Sequence, residues 1–163
     1  IALARFVDRG IRESKAIDLK QLCLERGKKV YLLMIDISVL DHSGNMLDAS
    51  ALAALAALST TKYPIYEMVD GQPVKTEELR PLPLREYPIS TTHAISDDKL
   101  LLDPSIQEEH ATGTYISFTF LEDERICAVQ KNGLATITED MLFNALRISS
   151  EKSKELRQLL FPR

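Results

Sequence analysis

The stretch VYLLMIDISVLD, residues 30–41, constrains this chain more than any other. It is long, rich in Val, Ile and Leu, and apolar on both faces of an extended backbone for most of its length. A half-exposed strand alternates apolar and polar side chains; this run barely does. It therefore predicts a central strand covered on both sides. Such a strand needs a packing layer, and the chain supplies one at once. DHSGN (41–45) reads as a tight turn, with Gly44 and Asn45 as its usual residues. LDASALAALAALSTTKYP (47–64) follows. Ala dominates there, and Leu52, Leu55 and Leu58 complete an almost wholly apolar cylinder. Asp48 or Ser50 is the expected N-cap of a helix running to about Thr60. A helix of this composition is expected to be buried, with small side chains that let it lie close to a sheet.

Other elements follow from period. Residues 1–18 read as an amphipathic helix with Leu3, Ala4, Val7 and Ile11 on one face. Gly10 weakens it by about 1 kcal/mol relative to Ala, a sign of close approach by another backbone. LERGKK (24–29) is a turn. YEMVDGQPV suggests a hairpin around Asp70-Gly71. LRPLPLREYPIS carries three prolines and reads as an extended connector or edge. ISTTHAIS (89–96) is β-like and KLLLD (99–103) a short buried strand. TYISFTF (114–120) and RICAVQK (125–131) form a hairpin around LEDE. The last element, 138–160, is a long helix with Thr138 as N-cap and Glu139 and Asp140 in its first turn. This order predicts an α+β fold with a mixed sheet and packed helices.

With 163 residues, 45% hydrophobic and 27% charged, the chain can bury a core as one domain and is not of disordered type. A net charge of −4 excludes a globally basic polyanion binder, so nucleic-acid contact requires a local cationic patch. Cys23 and Cys127 lack a CxxC partner or a zinc-ligand spacing and read as reduced thiols. No apolar run reaches the roughly 18–20 residues of a membrane helix, and no secretory signal is visible. The expected location is cytoplasmic, with no membrane partner. Ile1 falls inside an apparent helix, so an upstream segment is expected.

Two clusters carry candidate chemistry. LLLDPSIQEEH (100–110) places Asp103, Glu108, Glu109 and His110 just past a strand. It reads as a metal-assisted site or as its remnant. His42, His93 and His110 lack partners at metal-ligand spacing and read as surface or polar-network residues. In the first helix, Arg5, Arg9 and Arg12 fall at i, i+4 and i+7, a stripe flanked by Asp8 and Glu13. By pattern alone it is a solvated face or an RNA contact.

The segments VDRGIRESKAIDL, DISVLDHSGN, LDASALAALAAL, KLLLDPSIQEE and RICAVQKNG occur in one order over essentially the whole chain. Together they resemble the RNase PH-like subunits of the archaeal exosome, of the type inactive on its own. The resemblance implies an RNase PH-like domain over 1–163, the C-terminal portion of that fold, truncated on its N-terminal side. It implies a hexameric ring in which three such subunits alternate with three catalytic RNase PH-like subunits, with RNA-binding cap proteins. The ring degrades RNA from the 3′ end with inorganic phosphate as nucleophile. The hairpin 114–131 and the apolar strands would supply its inter-subunit surface.

Active members carry an Asp-x5-Asp pair, matched here by Asp103 and Glu109. Glu is one methylene longer but still a carboxylate ligand for Mg²⁺ or Mn²⁺. Their Gly-Gly-Ser/Thr-Arg phosphate cradle matches Gly44-Asn45-Met46-Leu47. Met46 and Leu47 cannot donate to phosphate, and desolvating an anion without donors costs several kcal/mol. Asp48 adds negative charge. The catalytic and phosphate positions thus read as degenerate, with phosphate and Mg²⁺ used by the partner. DPSIQEEH is then a solvated acidic turn in which Asp103 holds Ser105 or a backbone N–H, with residual metal binding or catalysis as the alternatives. DRGIRES matches the family's RNA-binding helix at Arg9 and Arg12, with Arg5 a weaker and Lys15 a still weaker match. Two readings compete with a non-catalytic ring subunit: an active phosphate-dependent 3′–5′ exoribonuclease or nucleotidyltransferase using Asp103 and Glu109, and a generic binding module.

Overall fold

The computed structural model describes residues 2–162. Its elements run α1 (Ala2–Glu13), β1 (Cys23–Glu25), β2 (Lys29–Val30), α2 (Met46–Thr60), β3 (Lys62–Val69), β4 (Gln72–Pro81), β5 (Ile89–Ser96), β6 (Lys99–Leu102), α3 (Ile106–Thr112), β7 (Tyr115–Phe120), β8 (Ile126–Asn132) and α4 (Glu139–Leu160). The main sheet has the order β6-β5-β7-β8, and β1-β2 and β3-β4 form separate two-stranded sheets. The α+β class holds. Pairing among the described strands is antiparallel throughout rather than mixed, because short hairpins join most neighbours.

β5 is the centre of the fold, and Ile89 to Ile95 are all buried. On the side that faces α2, its hydroxyls meet those of β7: Ser90 Oγ lies 2.8 Å from Thr119 Oγ1, and Thr92 Oγ1 lies 2.7 Å from Ser117 Oγ. The other side meets α4, where His93 Nε2 lies 2.8 Å from Ser149 Oγ. Ala145, Ser149 and Ser153 recur every fourth residue and are buried, so α4 lies close to the strand. Ile95, Ile116, Phe118, Phe120, Met141 and Ala145 form the apolar core between sheet and helix. Each fully buried large side chain there contributes about 1.5–3 kcal/mol. Arg157 is also buried, and its guanidinium donates to the Tyr87 and Phe120 carbonyls at 2.9 and 2.8 Å.

The segment 30–41 is not the covered strand that its composition predicts. Ladder pairing stops at Val30. Tyr31 and Leu33 pack against the second core cluster of Leu22, Leu58, Tyr63 and Leu82. Leu32 and Met34 alternate with them at 78% and 79% exposure. The backbone has strand period but no described strand beside it, and a strand is buried by its neighbours, not by its own side chains.

Smaller corrections follow, and local hydrogen bonding explains those at the end of α1 and at the cap of α2. The first helix ends at Glu13 rather than residue 18, because Ser14 Oγ donates to the Ile11 carbonyl at 2.9 Å and Lys15 turns left-handed at φ 54°. Ile1, where the expected helix starts, lies outside the described residues. Its buried face is Phe6, Val7 and Gly10, with Ala4 exposed. Helix α2 is capped by Asn45, not by Asp48 or Ser50, and Ala49, Ala53, Ala56 and Ala57 leave one side of it exposed. The hairpin 115–132 is present, but β7 lies inside the sheet with buried side chains. Only β8, with Ile126 and Val129 exposed, faces outward.

Candidate functional site

The turn into α2 is shaped by two residues. Gly44 has φ 119°, and a Cβ there would come within 2.5 Å of the Pro104 carbonyl oxygen and 2.6 Å of the Ile106 nitrogen. Only glycine admits that backbone approach. The Ile106 N–H donates to the Ser43 carbonyl at 2.7 Å, which seats the first turn of α3 on the loop. Asn45 follows in the left-handed region at φ 45°, ψ 47°.

Asn45 then collects three carboxylates. Its Nδ2 donates to Asp48 Oδ2 at 2.8 Å and to Asp103 Oδ1 at 2.7 Å. Its backbone N–H donates to Glu109 Oε1 at 2.9 Å, and its Oδ1 accepts from the Asp48 N–H at 3.4 Å. Asp103 and Glu109, paired in the sequence by spacing, are thus brought to one residue, but as acceptors of its amides. Asp103 holds the Asn45 side-chain amide, where the sequence reading has Ser105 or a backbone N–H. Ser105 instead caps α3, a helix where the sequence reading has an acidic turn. Glu108 Oε2 accepts from the Ser105 N–H at 2.7 Å and from its Oγ at 2.8 Å, and these bonds hold the Glu108 carboxyl below its usual range.

Asp48 is half-buried as a residue with its carboxyl turned inward. Burial pushes it up to about 6, although hydrogen bonds from Asn45, the Thr92 hydroxyl and the Thr92 N–H favour the charged form. The Thr92 Oγ1 distance is 2.7 Å, so Asp48 ties α2 to β5. The adjoining cavity of about 460 Å³ is walled by Asp48, Asp103 and Thr91 with apolar Leu52, Leu156 and Leu159. Its one cation, Lys152, is paired with Glu155 at 2.7 Å.

Chemically, this is a closed site. The Asn45 backbone N–H already donates to Glu109, and a phosphate here would face three carboxylates. Met46 and Leu47 are half-buried and offer no side-chain donor. Among the described residues, no three His, Cys, Asp or Glu side chains are arranged to hold a metal ion. His42 and His110 are exposed, and His93 sits in the Ser149 network. Burial lowers His93 to about 4, so it is neutral at pH 7. Both cysteines are free thiols.

The arginine stripe lies apart, with no hydrogen bond or ion pair joining it to this cluster. Gly10 turns α1 toward β7, where a Cβ would sit 3.9 Å from Thr119 Cγ2. That leaves Arg5, Arg9 and Arg12 exposed on the far side. Arg12 donates to Asp8 at 2.8 Å, a bond that raises its pKa. Among the described residues, nothing pairs with Arg5 or Arg9.

Sequence reasoning named Asn45 and Glu108 among the turn and cluster residues but missed what each does, the grip of Asn45 on the carboxylates and the cap that Glu108 completes. The signal for Glu108 is present: Ser105-x-x-Glu108 is a capping box. Asn45 carries a turn signal but none for its threefold grip, which depends on residues 58 and 64 positions away.

Comparison with known proteins supplies the wider context. Residues 1–64 match domain 1 of the 3′ exoribonuclease family, and residues 86–152 match its domain 2. The chain is 42% identical over 159 residues to an exosome complex component Rrp42 of Methanopyrus kandleri, covering 97% of this chain and 60% of that protein. It is 42% identical over 160 residues to the Rrp42 component of Methanocella arvoryzae, covering 98% and 59%. Among solved structures, an archaeal exosome core matches with a TM-score of 0.88 at 42% identity, over 98% of this chain and 62% of that one. An Archaeoglobus fulgidus exosome with RNA bound to the active site matches with 0.87 at 43%, over 96% and 59%. The chain therefore spans about 60% of the length of these relatives. No described helix is long and apolar enough to cross a membrane.

Proposed function

Because this chain belongs to the 3′ exoribonuclease family, with a match to each of its two domains, we propose that it is a non-catalytic subunit of a cytoplasmic hexameric ring that degrades RNA by phosphorolysis. Its relatives named exosome components, and the RNA-bound exosome similar to it, support that reading. The observation that carries it is the closed turn at α2. Asn45 occupies Asp48, Asp103 and Glu109 with its own amides, and Met46 and Leu47 stand where a phosphate needs donors.

Chemistry then falls to the neighbouring catalytic subunit, which supplies the site for inorganic phosphate and Mg²⁺. This chain contributes binding. Arg9 and Arg5 present unpaired guanidinium groups that can grip RNA phosphates bidentately. Arg12 joins them when it exchanges Asp8 for phosphate. RNA-binding cap proteins would feed the strand toward them.

The convergence of Asp103 and Glu109 favours one second reading, an exoribonuclease in its own right. The two separate by assay. The chain alone, with 3′-labelled RNA, phosphate and Mg²⁺ or Mn²⁺, is expected to release no nucleoside diphosphate. Mixed with a catalytic RNase PH-like subunit, it is expected to support release. Product from the chain alone, lost in Asp103→Asn, would establish the second reading.

A further inference from the structure

The turn into α2 turns anions away, but the cavity beside it is open. It lies between α2 and α4, where the central strand is paired on one side only. β6 reaches Leu102, opposite His93, and Asp103 then turns left-handed at φ 55°. Ile89, Ser90 and Thr91 therefore have β7 on one side and line the cavity on the other. The volume of about 460 Å³ is that of a small-molecule site. At its polar end, Asp48 and Asp103 converge on the single side-chain amide nitrogen of Asn45, at 2.8 and 2.7 Å. That donor is neutral. Lys152, the cation in the lining, is held by Glu155 at 2.7 Å. Among the described residues the two aspartates are left without a compensating cation, and the Asp103 carboxylate is bonded through Oδ1 alone.

A second feature is independent of these acids. Thr91 lines the same cavity at 3% exposure, and among the described residues its hydroxyl has no hydrogen-bond partner. Its neighbours Ser90 and Thr92 are both bonded to β7. A buried hydroxyl left unbonded is rare and costly, so its place beside an open volume marks a missing partner. The remaining wall is aliphatic, with Leu52 from α2, Leu102 from β6, and Leu156 and Leu159 from α4. Leu159 is 76% exposed. A phosphate or a carboxylate would meet the aspartates unfavourably. A bare metal ion gains nothing from the leucines, and no described trio of side chains is arranged to hold one.

We propose that this cavity binds a primary aliphatic amine, its ammonium held by Asp48, Asp103 and the Thr91 hydroxyl and its alkyl chain laid against Leu52, Leu156 and Leu159. An ammonium has three donors and no acceptor, which matches three acceptors around one open volume. Hydrogen bonds between an ammonium and carboxylates are of the strong, charge-assisted kind. A free alkylamine and a lysine side chain share this chemistry. The site uses residues of this chain alone and makes no demand on a ring partner, so it stands or falls apart from the ring reading.

The test titrates the full chain at neutral pH with n-butylamine, n-butanol, Nα-acetyl-lysine methylamide and Mg²⁺, and follows amide NMR shifts. Butylamine is expected to move the Asn45 side-chain amide and the Thr91 and Thr92 backbone signals, with saturation. Butanol, which keeps the alkyl chain without the charge, should bind at least about tenfold more weakly. Asp103→Asn keeps an oxygen for Asn45 and should weaken butylamine at least about tenfold. Thr91→Val removes no hydrogen bond of the free protein and should weaken it several-fold. Glu77→Gln, on the distant β3–β4 hairpin, should change nothing. Tighter binding of butylamine than of the lysine amide identifies a free amine as the source, and the reverse identifies a lysine side chain. The inference is overturned if butylamine leaves these signals in place, if butanol binds as well, or if Mg²⁺ displaces butylamine from them. Full affinity in both Asp103→Asn and Thr91→Val overturns it too.

Discussion

Helices α1 and α2 pack against each other yet end in opposite electrostatic states. On α1, Arg5 and Arg9 project into solvent, among the described residues no acid holds them, and of the three arginines Arg12 alone is engaged there, by Asp8. At the N-terminus of α2, where a helix dipole favours an anion, carboxylates of the protein already stand. Asn45 spends its amides on Asp48, Asp103 and Glu109. One surface is open to phosphate and the other is closed to it. Under the proposed reading, binding and chemistry separate within one chain without loss of fold. The α2 turn has the glycine that its backbone needs, followed after Asn45 by Met46 and Leu47, which offer an anion no side-chain donor.

That comparison can be broken or sharpened by substitution. The largest effect is expected on the closed side. Gly44→Ala forces a Cβ within 2.5 Å of the Pro104 carbonyl at positive φ and should cost about 3 kcal/mol or more in urea unfolding. Gly27→Ala, also at positive φ but with nothing within 4 Å, should cost only about 1 kcal/mol. Equal losses would mean that strain alone, not the α3 contact, makes Gly44 necessary.

Asp48 and His93 give the next effect, and it is opposite in sign for the two. The folded protein binds a proton on Asp48 up to about pH 6, where the unfolded chain releases it near 3.8. Stability from this group therefore falls as pH rises through that window. The folded protein refuses a proton on His93 down to about pH 4, where the unfolded chain accepts it near 6.5. Stability from this group falls as pH drops. Each amounts to about 3 kcal/mol at about 1.4 kcal/mol per unit, and the two nearly cancel between pH 4 and 6. Asp48→Asn should leave a urea midpoint that climbs from pH 4 to 6.5. His93→Gln should leave one that declines. Three parallel profiles would contradict the burial of both groups.

On the open side the effects are smaller and appear in RNA binding. Arg9→Ala is expected to weaken RNA affinity of the assembled complex several-fold and to lower the salt slope by about one ion. Arg12→Ala should do less, because its guanidinium is already shared with Asp8. A larger loss from Arg12 than from Arg9 would contradict the ranking of the unpaired guanidinium above the one shared with Asp8.

The sequence made the hairpin 115–132, the strand 89–96 and the final helix legible, because alternation, turn residues and the Thr138 cap agree with one another. The most apolar run was the least reliable. Residues 31–40 remain largely exposed while Ser90, Thr91, Thr92 and His93 are buried. Polar strand residues can be interior when hydroxyls and a carboxylate satisfy one another across the sheet, which no one-dimensional pattern reports. The carboxylate cluster was legible as residue types and spacing. Its closure by Asn45 was not, because that contact joins loops about sixty residues apart.

The proposed reading requires that the α2 turn meets phosphate with carboxylates instead of donors while α1 grips RNA. One assay addresses both halves: phosphorolysis of 3′-labelled RNA at saturating phosphate, by this chain alone and by its mixture with a catalytic RNase PH-like subunit. The account predicts no nucleoside diphosphate from the chain alone, and release from the mixture that survives Asp103→Asn here but declines with Arg9→Ala. Nucleoside diphosphate produced by the chain alone and abolished by Asp103→Asn would contradict it.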